Sequence, residues 1–370
     1  MEKIFQPAKV GPFTLKNAVV LASLTRVRCG EDGVPTDIVA EYYRQRAESA
    51  GLILSEASPI EMKSNTFTGA AGLENETQAH GWKKVTDLVH KEGSFMFAQL
   101  IFQGRVLHPK HHGTEVIGPS AVPAEGFCYV KGEKLDYAVP REMTQEDIDR
   151  IQERFVNAAK MAKLGGFDGV ELHGANGYLI DQFLKSCSNK RTDKYGGSIE
   201  NRCRFLLETI DKVAEVYPLN QIAVKLSPVG RYQSMNDENP LELFTYLMKE
   251  LDKKGLAYVQ LRESDTYTSQ EKPQDAGDHQ IAQVNETFRK IYKGTLMANG
   301  FRTGELGIKW IEEGIADLAC FGWIFISNPD LTERLKNKWP LAEVNAAALY
   351  KVADGSPAVG YSDYPKYEKK

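Results

Sequence analysis

Short runs of apolar and β-branched residues alternate along the chain with amphipathic stretches of helical length, the rhythm of repeated βα units. Strands are predicted at Ala18–Leu24, Leu52–Ala57, Phe95–Ile101, Gly169–His173, Ile222–Ser227, Tyr258–Arg262, Thr295–Asn299 and Leu318–Phe321. Helices are predicted between them at Asp37–Ser49, Thr77–Lys91, Thr144–Lys163, Ile199–Val216, Pro240–Lys253, Ile281–Tyr292 and Thr303–Glu313. Thr144 and Ser198 each precede an acidic first turn, so their hydroxyls are expected to cap those helices. Gly51, Gly93, Gly165–Gly166, Gly255, Gly294 and Gly314 follow helical runs and are expected to end them in the left-handed conformation. The strands read as nearly continuous apolar runs, as in a parallel sheet covered on both faces. The fold class expected is α/β, a (β/α)8 TIM barrel; a doubly wound open sheet is the competing topology, because periodicity does not reveal closure.

The connection from Gln103 to Met143, rich in Gly, Pro and His, is far longer than the others and reads as a lid or cap insertion after strand 3. The whole of 1–370 is read as one barrel domain containing it. The tail from Ala353 carries Tyr361, Tyr364 and Tyr367, enough aromatic surface to pack onto the barrel.

With 46 basic and 50 acidic residues the net charge is −4, which leaves no field to attract nucleic acid or an anionic membrane surface. Apolar runs are strand-sized, so no membrane span is expected. No secretory or organellar address is legible, and the expected location is cytoplasmic. Five cysteines, an odd number without metal-site spacing, read as reduced thiols.

In either α/β topology the chemistry belongs at the C-terminal ends of the strands. There the chain offers Thr25, Glu56–Ala57, Gln99, His173, Asn176, Tyr178, Lys225, Asn299–Gly300 and Gly322–Trp323. His173 and Asn176 are two donors able to share one oxygen, and Tyr178 is a phenol able to give a proton nearby, a set suited to an enolate-like charge. The bland alternative is a loop satisfying its own backbone. The glycines at the last two strand ends suit phosphate binding by backbone amides. No nucleotide-binding glycine fingerprint of either common type is present. His108, His111 and His112 lack a partner at ligand spacing and read as a solvated loop. Glu56, Glu171 and Glu263 admit a glycosidase-like carboxylate pair, although Glu171 lies one layer below His173 on the same sheet face.

The stretch Phe167-Asp168-Gly169-Val170-Glu171-Leu172-His173-Gly174-Ala175-Asn176-Gly177-Tyr178-Leu179-Ile180-Asp181-Gln182-Phe183-Leu184, with Ser188 to Ser198, Leu24-Thr25-Arg26, Ser55-Glu56-Ala57, Ala98-Gln99-Leu100, Gly104-Arg105 and Ile326 to Leu331, resembles the Old Yellow Enzyme family of FMN-dependent ene-reductases, which includes NADPH dehydrogenases and 12-oxophytodienoate reductases. The resemblance runs from Phe5 to Pro365. It implies a barrel holding FMN at its mouth, reduced by NADPH or NADH and reoxidised by a small electron-poor alkene. His173 and Asn176 would bind the acceptor oxygen and Tyr178 would protonate carbon. Thr25, Ala57, Gln99, Lys225, Asn299, Gly300, Arg302, Gly322 and Trp323 would contact FMN, and Ile101 and Tyr350 would line the substrate site beside the catalytic trio. The protein would act as a monomer or homodimer.

Departures from the family pattern refine this. Lys225 replaces an arginine near the flavin, turning a planar fork into a point charge. Trp323 replaces the arginine that grips the FMN phosphate, which makes Arg302 and the neighbouring backbone amides the replacement candidates. Ile101 and Phe102 stand where tryptophan and histidine are common, predicting a roomier pocket, and Ser23 replaces a proline. Two other functions stay open at this point: a catalytically impaired flavin-binding barrel and a barrel glycoside hydrolase.

Overall fold

The computed structural model describes residues 2–130, 133–263, 281, 283–301, 303–350 and 355–369. Eight parallel strands close on themselves: β1 (Val19–Leu21), β2 (Leu52–Leu54), β3 (Phe95–Ile101), β4 (Gly169–Gly174), β5 (Ile222–Leu226), β6 (Tyr258–Arg262), β7 (Leu296–Asn299) and β8 (Leu318–Phe321). Each pairs with the next, and Phe321 opposite Leu21 closes the ring. The open-sheet topology is thereby excluded.

Outside the barrel run α1 (Asp37–Ala47), α2 (Glu76–Lys91), α3 (Gln145–Leu164), α4 (Ile199–Val213), α5 (Pro240–Asp252), α6 (Val284–Arg289), α7 (Gly304–Glu312) and α8 (Leu331–Asn337). The last of these lay outside the predicted set, and α6 is shorter than expected. Thr144 forms a complete capping box with Asp147, and Ser198 accepts from the Asn201 amide. The expected left-handed stops occur at Gly93, Gly166, Gly255 and Gly314 but not at Gly51 or Gly294. Gly51 serves close approach instead: a Cβ there would sit 2.1 Å from the Asn17 carbonyl oxygen.

A hairpin of Ala8–Val10 and Phe13–Leu15 lies at the N-terminal end of the barrel, where Phe13 packs 4.7 Å from Phe95. The long connection after β3 is ordered by a second hairpin, Phe127–Val130 with Glu133–Asp136, and by a short parallel pairing of Ile117–Gly118 with Arg141–Glu142.

The C-terminal segment packs as its aromatic content predicted. Tyr361 is fully buried and stacks on Tyr42 at 4.1 Å, and Tyr367 stacks on Trp339. Buried arginines anchor it: Arg26 donates to the carbonyls of Leu349 and Gly360, Arg28 to those of Ala348 and Pro357, and Arg46 to that of Tyr361. Charged donors onto buried carbonyls satisfy groups that a loop would otherwise leave unpaired.

Candidate active site

The period of two along a strand decides which side chains enter the barrel. On β4, Val170 and Leu172 pack outward while Glu171 and His173 point inward, opposite Gln99 of β3 and Lys225 of β5 respectively. Below the mouth the interior is therefore polar. Ser23 Oγ donates to Gln99 Oε1 at 2.7 Å, and Gln99 Nε2 donates to Glu171 Oε1 at 2.6 Å. That holds the Gln99 amide in one orientation and leaves its second N–H for a ligand above.

Over this floor lies a cavity of about 310 Å³ at the C-terminal ends of the strands. Thr25, Ala57, Gln99, His173, Asn176, Tyr178, Lys225 and Tyr350 all line it, so residues spread over 326 positions of sequence meet in one place. Ser23 and Leu24 line it as well, and Phe67, Tyr232 and Arg262 complete the wall. Phe67, Tyr232 and Arg262 were not predicted: the two aromatics sit on loops whose course periodicity does not reveal, and Arg262 ends a strand without belonging to any quoted motif.

Burial shapes the chemistry of the trio. His173 is buried, and desolvation, reinforced by the neighbouring Lys225 charge, pushes its imidazolium well below the ordinary value of 6.5. It is a neutral imidazole at neutral pH, able to donate one hydrogen bond without surrendering a full proton. Its Nδ1 has no partner among the described residues. Tyr178 packs edge-on to the His173 ring at 4.9 Å, and burial, with the nearby Tyr232, Tyr137 and Tyr350, raises its phenol far above the ordinary range. The phenol stays protonated. Burial also lowers the Lys225 ammonium, with Glu171 drawing it back up.

The loop after β4 is built to hold this arrangement. Asn176 adopts φ +58°, and its amide donates to Ser227 Oγ at 2.9 Å. Asp181 accepts from the Gly177 amide and pairs with buried Lys185, whose ammonium also reaches the carbonyls of Ser227 and Gly230. Gln182 accepts from the Arg105 amide and donates to the carbonyls of Gln103 and Gly177. The residues that follow Tyr178 thus form the scaffold of the trio, tying the β4 loop to the β5 loop and to the root of the insertion.

Other predicted positions fall elsewhere. Ile101 does not line the cavity; it packs behind Tyr178 with Val106 and Ala124. The Trp323 side chain is 47% exposed at the start of a short helix, Trp323–Ile326, and does not line the cavity. Asn299 bridges β7 to β8 by donating to the Cys320 carbonyl. Gly300, at φ +112°, is held against Glu263, and Gly322 lies against Leu24. Arg302 lies outside the described residues.

The carboxylate pair of a glycosidase is not assembled. Glu56 and Glu171 are fully buried and absent from the cavity wall. Glu56 accepts from the Arg26 amide, and desolvation raises its carboxyl to about 7. Glu263 is occupied by the amides of Val284 and Asn285 at the start of α6. Within the insertion, His112 Nε2 meets the Asn65 carbonyl at 3.0 Å. No helix among the described residues is long and apolar enough to cross a membrane.

These residues fit an FMN site: a cavity with a cation at its base, a spare amide N–H on Gln99 and an unpartnered buried nitrogen on His173. Comparisons with known proteins agree. Residues 3–342 match the NADH:flavin oxidoreductase / NADH oxidase family. The chain is 36% identical to a probable flavin mononucleotide-dependent alkene reductase of Leishmania infantum, over 99% of this chain and 98% of that one. It is 37% identical to 12-oxophytodienoate reductase 7 of Oryza sativa subsp. japonica, over 98% and 94%. Among solved structures, the old yellow enzyme homologue from Zymomonas mobilis superposes with a TM-score of 0.92 at 36% identity, covering 99% of this chain and 100% of that one. Morphinone reductase in complex with tetrahydroNAD gives 0.90 at 37%, covering 100% and 98%. The chain belongs to the NADH:flavin oxidoreductase / NADH oxidase family, and it is an FMN-dependent ene-reductase of the Old Yellow Enzyme type, drawing hydride from NAD(P)H.

Proposed function

We propose that this enzyme reduces the C=C bond of small α,β-unsaturated carbonyl compounds, with quinones and nitro compounds as further acceptors, and that His173, Asn176 and Tyr178 carry the chemistry. The observation behind the reading is their convergence in one cavity: two neutral donors beside a phenol that burial keeps protonated. His173 and Asn176 hydrogen-bond the acceptor's oxygen, which draws electron density from the β-carbon and stabilises the charge that builds on oxygen. A neutral imidazole polarises without protonating that oxygen, so the proton is reserved for carbon. Tyr178 delivers it to the α-carbon.

Bound FMN would supply the redox chemistry of this site, relaying hydride from the nicotinamide to the β-carbon. Thr25, Gln99, Lys225 and the Ala57 backbone would hold its ring system. The backbone around Asn299, Gly300, Gly322 and Trp323, with Arg302, would hold its phosphate, as positive φ at Gly300 favours. Residues 103–143 cap the mouth, and Tyr350 offers a substrate-facing phenol from the opposite rim. Five free thiols suit a reducing, cytosolic setting.

The test is the visible spectrum of the purified protein under anaerobic addition of NADPH and then 2-cyclohexenone. Flavin bands that bleach with the first and return with the second are expected. A yellow protein that bleaches and stays bleached would reject the alkene acceptor, and a colourless protein that FMN does not reconstitute would reject the cofactor assignment at these residues.

A further inference from the structure

Tyr178 owes its position to more than its own loop. Its ring packs in a small apolar cluster with Ile101, Val106 and Ala124, and Tyr137 closes that cluster from the insertion. Tyr137 is tied in turn: its hydroxyl donates to Gln233 Oε1 at 2.8 Å. Gln233 lies in the loop between β5 and α5, where it and Ser234 both adopt left-handed backbone, φ +63° and +56°, without being glycine. Consecutive non-glycine residues in that region persist only where surrounding contacts impose them.

Those contacts come from the insertion. Arg105, buried, donates to the carbonyls of Val122 and Pro123 on one side and to the Gln233 carbonyl on the other. The Glu125 amide donates to Ser234 Oγ at 2.9 Å. The loop so held presses on the catalytic strand end: a Cβ added to Gly177 would lie 2.5 Å from Gln233 Cβ and 3.0 Å from Met235 Cγ. Gly177 immediately precedes Tyr178. Insertion, β5 loop and proton donor therefore form one continuous packed path, meeting Tyr178 both through its ring, by Tyr137, and through its backbone, by Gln233.

We infer that Tyr137 is a positioning residue for proton delivery, and that the Tyr137–Gln233 hydrogen bond sets the Tyr178 phenol against the substrate's α-carbon. This rests on the reading of Tyr178 as the proton donor. The insertion is on this account part of the catalytic apparatus, beyond covering the mouth. Displacing a catalytic group by about 1 Å costs on the order of a hundredfold in rate.

The experiment mixes NADPH-reduced holoenzyme anaerobically with 2-cyclohexenone and, separately, with 1,4-benzoquinone, whose reduction needs no proton on carbon. Tyr137→Ala is expected to slow reoxidation by the enone roughly ten- to a hundredfold and leave that by the quinone within about twofold. Tyr137→Phe keeps the ring but loses the hydroxyl that binds Gln233, and is expected to keep part of the enone-selective slowing; full recovery of the enone rate would overturn the hydrogen bond's role. Tyr178→Phe is the reference and is expected to show the same selectivity, more strongly. A selective Tyr178→Phe beside a Tyr137→Ala that is unimpaired, or equally impaired with both acceptors, overturns the positioning role alone. A Tyr178→Phe that slows neither acceptor, or both alike, overturns the proton-donor reading and this inference with it. If Tyr137→Ala loses FMN, Gln233→Ala takes its place, with the same enone-selective slowing expected and its absence overturning the inference.

Discussion

The two halves of the barrel mouth solve different problems with different materials. Around β3, β4 and β5 the wall is made of side chains, Gln99, His173, Asn176, Tyr178 and Lys225, with Gln99 fixed by Ser23 and Glu171 and the Asn176 backbone by Ser227. Around β7 and β8 the side chains turn away. Asn299 is spent on the Cys320 carbonyl, Trp323 is exposed, and the surface left is backbone at Gly300 and Gly322. A reacting carbon needs donors at fixed positions, which only braced side chains provide, whereas a phosphate is held adequately by amides and general positive potential. The catalytic half should therefore tolerate little substitution. On the proposed reading, the β7–β8 half would tolerate tryptophan at position 323 where the family pattern has arginine.

That contrast can be broken by mutation. The largest effect is expected in the side-chain half, where His173→Ala removes one donor to the developing oxyanion. Reoxidation by 2-cyclohexenone should fall about 10²- to 10³-fold in stopped flow. A loss below about threefold would mean that Asn176 suffices, and the halves would differ less than they look.

Next in size is a cost stored beside the cavity, at the end of β2. Glu56 is fully buried under the β2 end, and desolvation raises its carboxyl from 4.5 to about 7. The folded protein thus binds a proton more tightly than the unfolded chain. Its stabilising contribution is present below pH 4.5 and is lost as pH rises to 7, by about 3 kcal/mol in all. Glu56→Gln should abolish that contribution, so its stability relative to wild type should improve by about this amount from pH 4.5 to 7 in denaturant titrations. A difference that stays constant with pH would show that Glu56 does not titrate there.

The smallest effect belongs to the phosphate half. Arg302→Ala should speed FMN dissociation and weaken binding roughly ten- to a hundredfold, the worth of one charge-assisted contact. Equilibrium dialysis of FMN against the apoprotein reads it directly. Unchanged affinity would sharpen the contrast, leaving that half entirely to backbone.

Much of this was legible in the chain. Strand and helix positions follow from periodicity and capping, because local sterics and amphipathic burial act over a few residues. The β4 motif is legible for a related reason: His173, Asn176 and Tyr178 sit within six positions, so one short loop carries them together. Where prediction missed, the deciding contact was distant. Gly51 proved to serve close approach to Asn17, and Ile101 packs with Tyr178, Val106 and Ala124 without lining the cavity. Nothing near Trp323 in sequence signals that it is half exposed and absent from the cavity wall.

The chain by itself determined the repeating βα units, the long insertion after the third strand and the donor trio with its family. Closure of the ring was left to the tertiary structure, as were the neutral state of His173, the raised pKa of Glu56 and the union of Tyr137, Gln233 and Gly177. The reason is common to all of them. Burial and register are sums over groups far apart in the chain, and a residue's own neighbours in sequence do not contain that sum.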